Sequence, residues 1–552
     1  MKNNNKTWWK WGNIDGDVHL SDFPKLITYL EDKWQVKLND DLFLPSNEEL
    51  IDESSFLLND FKQIFSELDE KIFSNTDIDR LKYGFGKAYQ DAIDILTKQE
   101  HRFPDFVLFP ENEKEILYIL KTATENNIDI ITFSGGTNVT ECLSISSERK
   151  IVCALNMTNL AKLIEIDKIS LTATFQCGIY GPQLEKILQK EGFTMGHFPQ
   201  SFEFSTLGGW IATRSAGQES GKYGKIEDMV LGLKVITPNG TISHRDYPKH
   251  ATGLDTFRLF LGSEGTLGII TQAKMKIHIL PKHETWVVAI FKDFSSGSNA
   301  LRELVQTGIH PAICRLSDDN ETNLLSLLDS SKQAAGIKKL LQDIYKKHLF
   351  KKGYSKPCIL MMKFLDNHKI PSSKISLVKQ TLKNNQAVIL PAKISSNWES
   401  KRFSLPFLRE TVIQHRILID MFETSIYWKD ILPLYNRVNE DLKVKSDYFT
   451  NGGILFCHIS HIYSTGASLY FTLLAPQEKG REKQQWDNIK SIVTTSIFEM
   501  KAAISHHHSI GKAHGKWYNM QLNEQEKILL KNIKSNLDPN NVLNPGKLYD
   551  ES

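Results

Sequence analysis

Apolar positions along this chain fall into two rhythms. Between residues 107 and 281, short apolar runs alternate with stretches at helical spacing. Val107 to Pro110 reads as a strand, Glu113 to Asn126 as a helix, and Ile128 to Ile131 as the next strand. Lys150 to Leu155, Leu171 to Gln176 and Met229 to Ile236 read as further strands, the last running into a Pro-Asn-Gly turn at 238 to 240. Pro182 to Glu191 sets Leu184, Ile187 and Leu188 on one side of a helix. The last strand of this stretch is expected to end at Ile279-Leu280-Pro281. From 282 to about 500 the rhythm changes. Alternating runs such as Trp286 to Phe291 and Ile359 to Phe364 are separated by long helical stretches, which predicts an antiparallel sheet backed by helices. The lysine-rich run Asp329 to Lys352 is expected to be a solvated helix pair. Near the start, Pro24 to Leu30 and Phe56 to Leu68 show helical spacing among irregular sequence. The expected organisation is a mainly helical region at 1–100, an α+β unit at 101–282, a second α+β unit at 283–500, and a segment at 501–552 that returns to the first unit.

Composition sets limits rather than direction. The chain has 552 residues, 41% hydrophobic and 24% charged, as expected of globular protein with more than one domain. A formal net charge of +2 gives no general pull toward nucleic acid. The six cysteines, Cys142, Cys153, Cys177, Cys314, Cys358 and Cys457, form no C-x-x-C pair, which argues against a zinc ribbon or an iron–sulfur cluster. Their scatter, with no secretory signal, fits a cytoplasmic protein. No apolar run approaches the ~18 residues of a membrane span. The ending Tyr-Asp-Glu-Ser is not a peroxisomal tripeptide. Trp8, Trp9 and Trp11 stand among Lys2, Lys6 and Lys10. They could rest on a membrane surface or pack inward, and three indoles are too few for a helix-length amphipathic face.

Three glycine-rich turns change the picture. Phe133-Ser134-Gly135-Gly136-Thr137-Asn138 follows a strand, leaving backbone N–H groups and hydroxyls free to hold phosphate. Leu207-Gly208-Gly209-Trp210 and Gly262-Ser263-Glu264-Gly265-Thr266-Leu267-Gly268 follow downstream. Glycine lets backbone approach a flat or phosphorylated ligand with no Cβ in the way. In this order and with these flanks, the turns resemble the FAD-binding fold of the vanillyl-alcohol oxidase and p-cresol methylhydroxylase superfamily. No G-x-G-x-x-G after a strand competes for a dinucleotide. Ser134 stands where that superfamily usually has a third glycine. The tail Leu537 to Lys547 matches its closing motif. The resemblance implies an α+β, two-subdomain FAD-binding fold of the p-cresol methylhydroxylase type, with the 283–500 unit as a substrate-binding cap. It assigns FAD contacts to Thr132, Phe133, Ser134, Gly135, Gly136, Thr137 and Asn138, then to Gln200, Ser201, Ser205, Thr206, Gly208, Gly209, Thr213, Arg214 and Ser215. Glu264, Gly265, Thr266, Gly268, Ile269 and Ile270 complete that set.

Four features carry candidate chemistry. Ser505-His506-His507-His508-Ser509-Ile510-Gly511-Lys512 offers imidazoles and a cation for a phosphate dianion, or is a surface run whose adjacent side chains face opposite ways on a strand. Tyr470 sits on an expected strand and could pass a proton, given a lowered pKa or a suitable partner, or could be a core tyrosine. Arg409, after Pro406-Phe407-Leu408, suits a bidentate grip on carboxylate or phosphate, and Arg315 stands on an expected cap strand; either could be a structural ion pair. His458 and His461 could ligate a metal.

Together these features resemble the alkyldihydroxyacetonephosphate synthase family over nearly the whole chain. The matches include Gly196-His197, Ser201-x-Glu203-Phe204-Ser205-Thr206, Tyr223-Gly224-x-Ile226-Glu227-Asp228, Phe422-Glu423-Thr424-Ser425-x-x-Trp428, Gly466-Ala467-x-x-Tyr470-Phe471 and the three histidines. The resemblance implies exchange of the acyl chain of acyl-dihydroxyacetone phosphate for a long-chain fatty alcohol, through a flavin N5 adduct and without net redox. It makes Tyr470 the proton carrier, Arg409 the substrate-binding arginine, and Arg315, His506, His507 and His508 essential to activity, with no metal in the site. It further implies noncovalent FAD, a homodimer, and peripheral membrane contact. The alternative is an FAD-dependent 2-hydroxy-acid dehydrogenase of the D-lactate or glycolate type, with His458 and His461 on a metal. Those dehydrogenases carry a metal-holding glutamate where this chain has His507, and a His-x-Gly-Asp-Gly-Asn element that this chain lacks.

Overall fold

The computed structural model describes residues 7–11, 19–38, 42–99, 101–145, 151–328, 350–403 and 407–548. Most of the expected lysine-rich helix pair, 329–349, lies outside the described residues. The chain builds its sheets in the order its apolar rhythms set. The first holds β1 (Phe73–Ser74), β2 (Phe106–Leu108), β3 (Asp129–Phe133) and β4 (Val152–Asn156) in the order β1-β2-β4-β3. Its β2-β4-β3 core is parallel, and β4 is buried along its whole length, as a parallel strand covered on both faces should be. The helix Glu113–Glu125 lies against it, burying Ile116, Ile119 and Leu120 at helical spacing behind an Asn112 cap.

The second sheet is antiparallel: β5 (Leu163–Asp167), β6 (Thr172–Gln176), β8 (Val230–Thr237), β9 (Gly240–Ser243) and β10 (Ile269–Lys276), in the order β5-β6-β10-β8-β9. A short ladder joins β7 (Phe193–Thr194) to β11 (His278–Ile279). The two glycine turns at 207 and 262 sit at the rim of this sheet. Thr206 stands at the N-terminal boundary of the helix Leu207–Ala212 with its hydroxyl unused by the helix, and β10 begins just past Gly268.

The third sheet is the broad one. It runs β12 (His283–Phe291), β13 (Ile313–Ser317), β14 (Cys358–Asp366), β15 (Val388–Leu390), β16 (Ile417–Tyr427), β17 (Ile454–Ile462) and β18 (Gly466–Pro476), in the order β15-β12-β14-β13-β17-β18-β16, all antiparallel. Helices such as Phe294–Gln306, Ile431–Lys445 and Glu482–Glu499 back one face. The opposite face looks toward the two smaller sheets. The final helix, Glu524–Leu537, and the tail return to the first unit, where Leu543 bridges Ile130 and Lys534 Nζ donates to the carbonyls of Thr266 and Leu543.

The first hundred residues differ in detail from their pattern. Helix covers only Leu58–Ile64 of the expected 56–68 run, while Pro24–Trp34 extends past its expected end. Trp9 and Trp11 are buried and Trp8 stacks on Phe85, so these indoles pack inward.

Candidate active site

A cavity of about 430 Å³ lies between the three sheets, and it has two walls of different construction. One wall is made of turns. β3 delivers Thr132 to the cavity, and the chain then turns through Ser134, Gly135, Gly136, Thr137 and Asn138. A Cβ on Gly135 would run into the Phe204 carbonyl, and Gly136, at φ +63°, has the Phe133 ring directly beneath it. Both positions therefore demand glycine. Gln200, Ser201, Ser205, Thr206, Gly208, Gly209, Thr213 and Ser215 continue the wall, and Glu264, Gly265, Gly268, Ile269 and Ile270 close it.

Three residues expected on this wall stand behind it instead. Phe133 supports Gly136 from below, the Thr266 hydroxyl is used up by the Ser263 carbonyl at 2.6 Å, and the Arg214 guanidinium turns outward to Glu227 at 3.4 Å. Glu264 does line the cavity, but its carboxylate also accepts from the N–H groups of Ile510 and Gly511 at 2.7 and 2.9 Å. Burial raises its pKa.

The other wall is made of side chains on the broad sheet. β17, β18 and β16 pair so that His458, Tyr470 and Glu423 stand directly opposite one another. The Tyr470 ring stacks on His458, with centroids 4.8 Å apart, and meets His507 and His508 at 6.0 and 5.6 Å. Its phenol was expected to have a lowered pKa or a proton partner. Burial instead pushes it up, with the Glu423 charge adding to the effect. Arg315 on β13 donates to Glu321 at 2.7 Å and to His458 Nε2 at 3.2 Å, while His458 Nδ1 faces Glu321 at 2.8 Å. Burial works to raise Glu321, but Arg315 and His458 outweigh it and hold the carboxyl at about 2. Arg315 is thus oriented, with a buried Nε that has no partner among the described residues. Arg409 is buried beside Glu410 and donates Nη1 to the Lys87 carbonyl; its Nε and Nη2 have no partner among the described residues, and it lines the cavity.

The histidine run is a bent loop rather than a strand, so its three rings cluster instead of alternating. Glu423 organises it. One buried carboxylate accepts from the N–H groups of His506, His507 and His508 at 2.7, 3.1 and 2.8 Å, and from the Ser505 hydroxyl at 2.6 Å. Burial opposes its charge, yet the adjoining His507 ring and the other imidazoles hold it well below the usual carboxylate range. His507 and His508 face the cavity. His506 stands one layer back, its Nε2 2.6 Å from the Tyr463 hydroxyl and its carbonyl accepting from Lys225 at 2.6 Å. Burial drives His508 down to about 3 and lowers His506 and His461, so these rings are neutral near pH 7. Asn138 stitches the two walls together by donating to Ser509 Oγ at 3.1 Å.

Past this polar end the cavity becomes apolar along the strands. On the cavity face, β18 runs Tyr470, Thr472, Leu474 while its partner β16 runs Glu423, Met421, Ile419 and on to Ile417. Leu26 and Leu30 from Pro24–Trp34, Leu324 from Asp319–Leu327, and Leu408 with Val412 from Leu408–Gln414 complete this arm.

A family described as "FAD binding domain" matches residues 104–245, and one described as "FAD linked oxidases, C-terminal domain" matches 280–548. The alkyldihydroxyacetonephosphate synthase of Dictyostelium discoideum is 32% identical over 475 residues, covering 85% of this chain and 77% of that protein. The chain belongs to the alkyldihydroxyacetonephosphate synthase family. A solved structure of an alkyldihydroxyacetonephosphate synthase superposes on 99% of this family member and 100% of that chain, at TM-score 0.85 and 26% identity. p-Cresol methylhydroxylase, at TM-score 0.64 and 13% identity over 90% of this chain and 96% of its own, shares the fold. FAD is the cofactor of this family member. The turn wall fits it: glycines bring backbone against the cavity, and two buried hydroxyls there, Thr132 Oγ1 and Thr206 Oγ1, lack any partner among the described residues. Sequence reasoning quoted Glu423 only as part of a motif and missed its role, and it did not place the apolar arm. No helix of the described residues is long and apolar enough to cross a membrane.

Proposed function

We propose that this enzyme exchanges the acyl chain of acyl-dihydroxyacetone phosphate for a long-chain fatty alcohol, forming an alkyl ether. The observation that carries the reading is the polarity gradient along β16 and β18: cations, imidazoles and a phenol at one end of the cavity, aliphatic side chains at the other. A phosphorylated three-carbon head with a long chain matches that gradient. From Tyr470 to Leu474 the strand advances roughly 13 Å, enough for a good part of an extended aliphatic chain. A short 2-hydroxy acid has no use for such an arm, which disfavours the dehydrogenase alternative.

In this reading FAD supplies an electron-poor ring able to take up and return an electron pair. The chain's own residues do the rest. Arg409, with two guanidinium nitrogens unpaired among the described residues, binds the phosphate bidentately, and His507 adds a donor from the facing loop. Arg315, fixed by Glu321 and His458, stands over the same end and steadies negative charge developing near C1. Tyr470 moves the proton at C1. As a neutral phenol it is a donor, and the rings of His507 and His508 lie against it. His506 positions His507 from behind. The leucines and isoleucines of the arm keep the departing fatty acid and the incoming alcohol out of water. The reading also includes noncovalent FAD, a homodimer and contact with a membrane surface from the cytoplasm, where both aliphatic substrates reside.

The test is anaerobic. Acyl-dihydroxyacetone phosphate should perturb the flavin absorbance and release fatty acid, and added long-chain alcohol should yield the ether product. Bleaching of the flavin by D-lactate, with no fatty acid released, would overturn the assignment.

A further inference from the structure

The loop that carries the histidine run brings a fourth imidazole into play. Between Ile459 and Ile462 the β17–β18 ladder shifts register, and this irregularity accompanies the placing of both His458 and His461 on the cavity. Their fates differ. His458 is committed to Arg315 and Glu321, so the pair His458 and His461 does not assemble a site. His461 is only 8% exposed, lines the cavity, and its ring nitrogens meet no hydrogen-bond partner among the described residues. Its ring lies 5.0 Å from that of His506 and 5.7 Å from that of His507. One nitrogen from each of the three rings can be chosen so that all lie within 4.8 Å of one another.

We infer that His461, His506 and His507 form a binding site for a divalent transition-metal ion of the zinc or cobalt type. Three imidazoles and no carboxylate among the ligands select such an ion over magnesium or calcium. His506 and His507 already face each other, Nδ1 to Nδ1, at 2.9 Å. Two ring nitrogens so placed must share one hydrogen, and a cation bridging them takes the place of that hydrogen. The Tyr463 hydroxyl, 2.6 Å from His506 Nε2, is a partner of the kind that steadies a metal-bound imidazole through its other ring nitrogen. The fourth position faces the cavity, where an anionic oxygen or water completes a tetrahedral shell. The site departs from the metal-free expectation drawn from sequence, and it stands whether or not the exchange reaction is the right one.

The FAD-loaded protein, stripped with chelator and dialysed, should be titrated with Co(II) while the visible ligand-field band beyond the flavin absorbance is followed. Zn(II) should then be added against a chromophoric chelator. One Co(II) per chain, displaced by Zn(II), is expected. His461→Ala and His507→Gln should each lose the band while keeping the flavin spectrum; His461→Gln replaces His461→Ala if the latter sheds FAD. No cobalt bound to the wild-type holoenzyme, or a band that persists in either variant, overturns the site.

Discussion

The cavity's two walls present their polar groups by different means. The turn wall recognises with backbone: Gly135, Gly136, Gly208 and Gly265 clear space, and side chains mostly stand aside. The wall on the broad sheet recognises with side chains, and those side chains need partners of their own. Glu423 gathers three N–H groups of the histidine loop, and Glu321 orients Arg315 and His458. A backbone wall is robust to everything except an added Cβ. A side-chain wall is only as sound as the buried carboxylate behind it.

The contrast is broken most severely at Glu423. Glu423→Ala strands three N–H groups and a hydroxyl, which should cost about 3–5 kcal/mol and abolish exchange. A denaturation midpoint near that of the wild type would show that the loop is held some other way. Tyr470→Phe removes the proposed proton carrier but no structural bond, since its hydroxyl has no hydrogen-bond partner among the described residues. FAD and stability should survive while exchange falls roughly 10²–10⁴-fold, read as fatty-acid release. The buried imidazoles give a pH signature. Burial drives His197, His508 and His514 down to about 3, below the ~6.5 of an unfolded histidine. Between those values the unfolded chain binds protons that the native one refuses. Stability is therefore undiminished above pH ~6.5 and falls as pH drops toward 3, by about 2 kcal/mol per group at pH 5. Denaturant titrations at pH 7 and pH 5 measure the loss, and equal midpoints would mean the rings are solvated. On the other wall, Gly135→Ala should cost about 1–3 kcal/mol through its clash with Phe204 and loosen FAD, leaving the histidine loop intact. Flavin retained on gel filtration at the wild-type level would show that the turn yields without effect.

The two walls also differ in how far they could be read in advance. The turn wall was legible because its signal is local: a strand, two glycines, hydroxyls, all within a few residues. Phe133, Arg214 and Thr266 belong to the same turns but do not line the cavity, because their side chains point away from it, which spacing alone does not reveal. The side-chain wall was legible only as residue types. Glu423 meets partners 82 to 85 positions away. The apolar arm is equally hidden. Met421, Ile419 and Ile417 alternate like any strand, and nothing in that alternation says whether the face they share looks into a core or a cavity. The broad sheet itself was foreseen as antiparallel with helical backing, because period-two runs between helical stretches admit little else.

The Asn544 amide donates to the carbonyl oxygens of Cys142 and Glu264, joining the first and third glycine turns, and the bond to Cys142 spans 402 positions. A ribosome adding ~5–20 residues per second reaches Asn544 roughly 20–80 s after it has made Cys142. The nascent chain thus spends most of its synthesis with an unfinished nest, and vitamin loading becomes an event that follows translation rather than one that guides it.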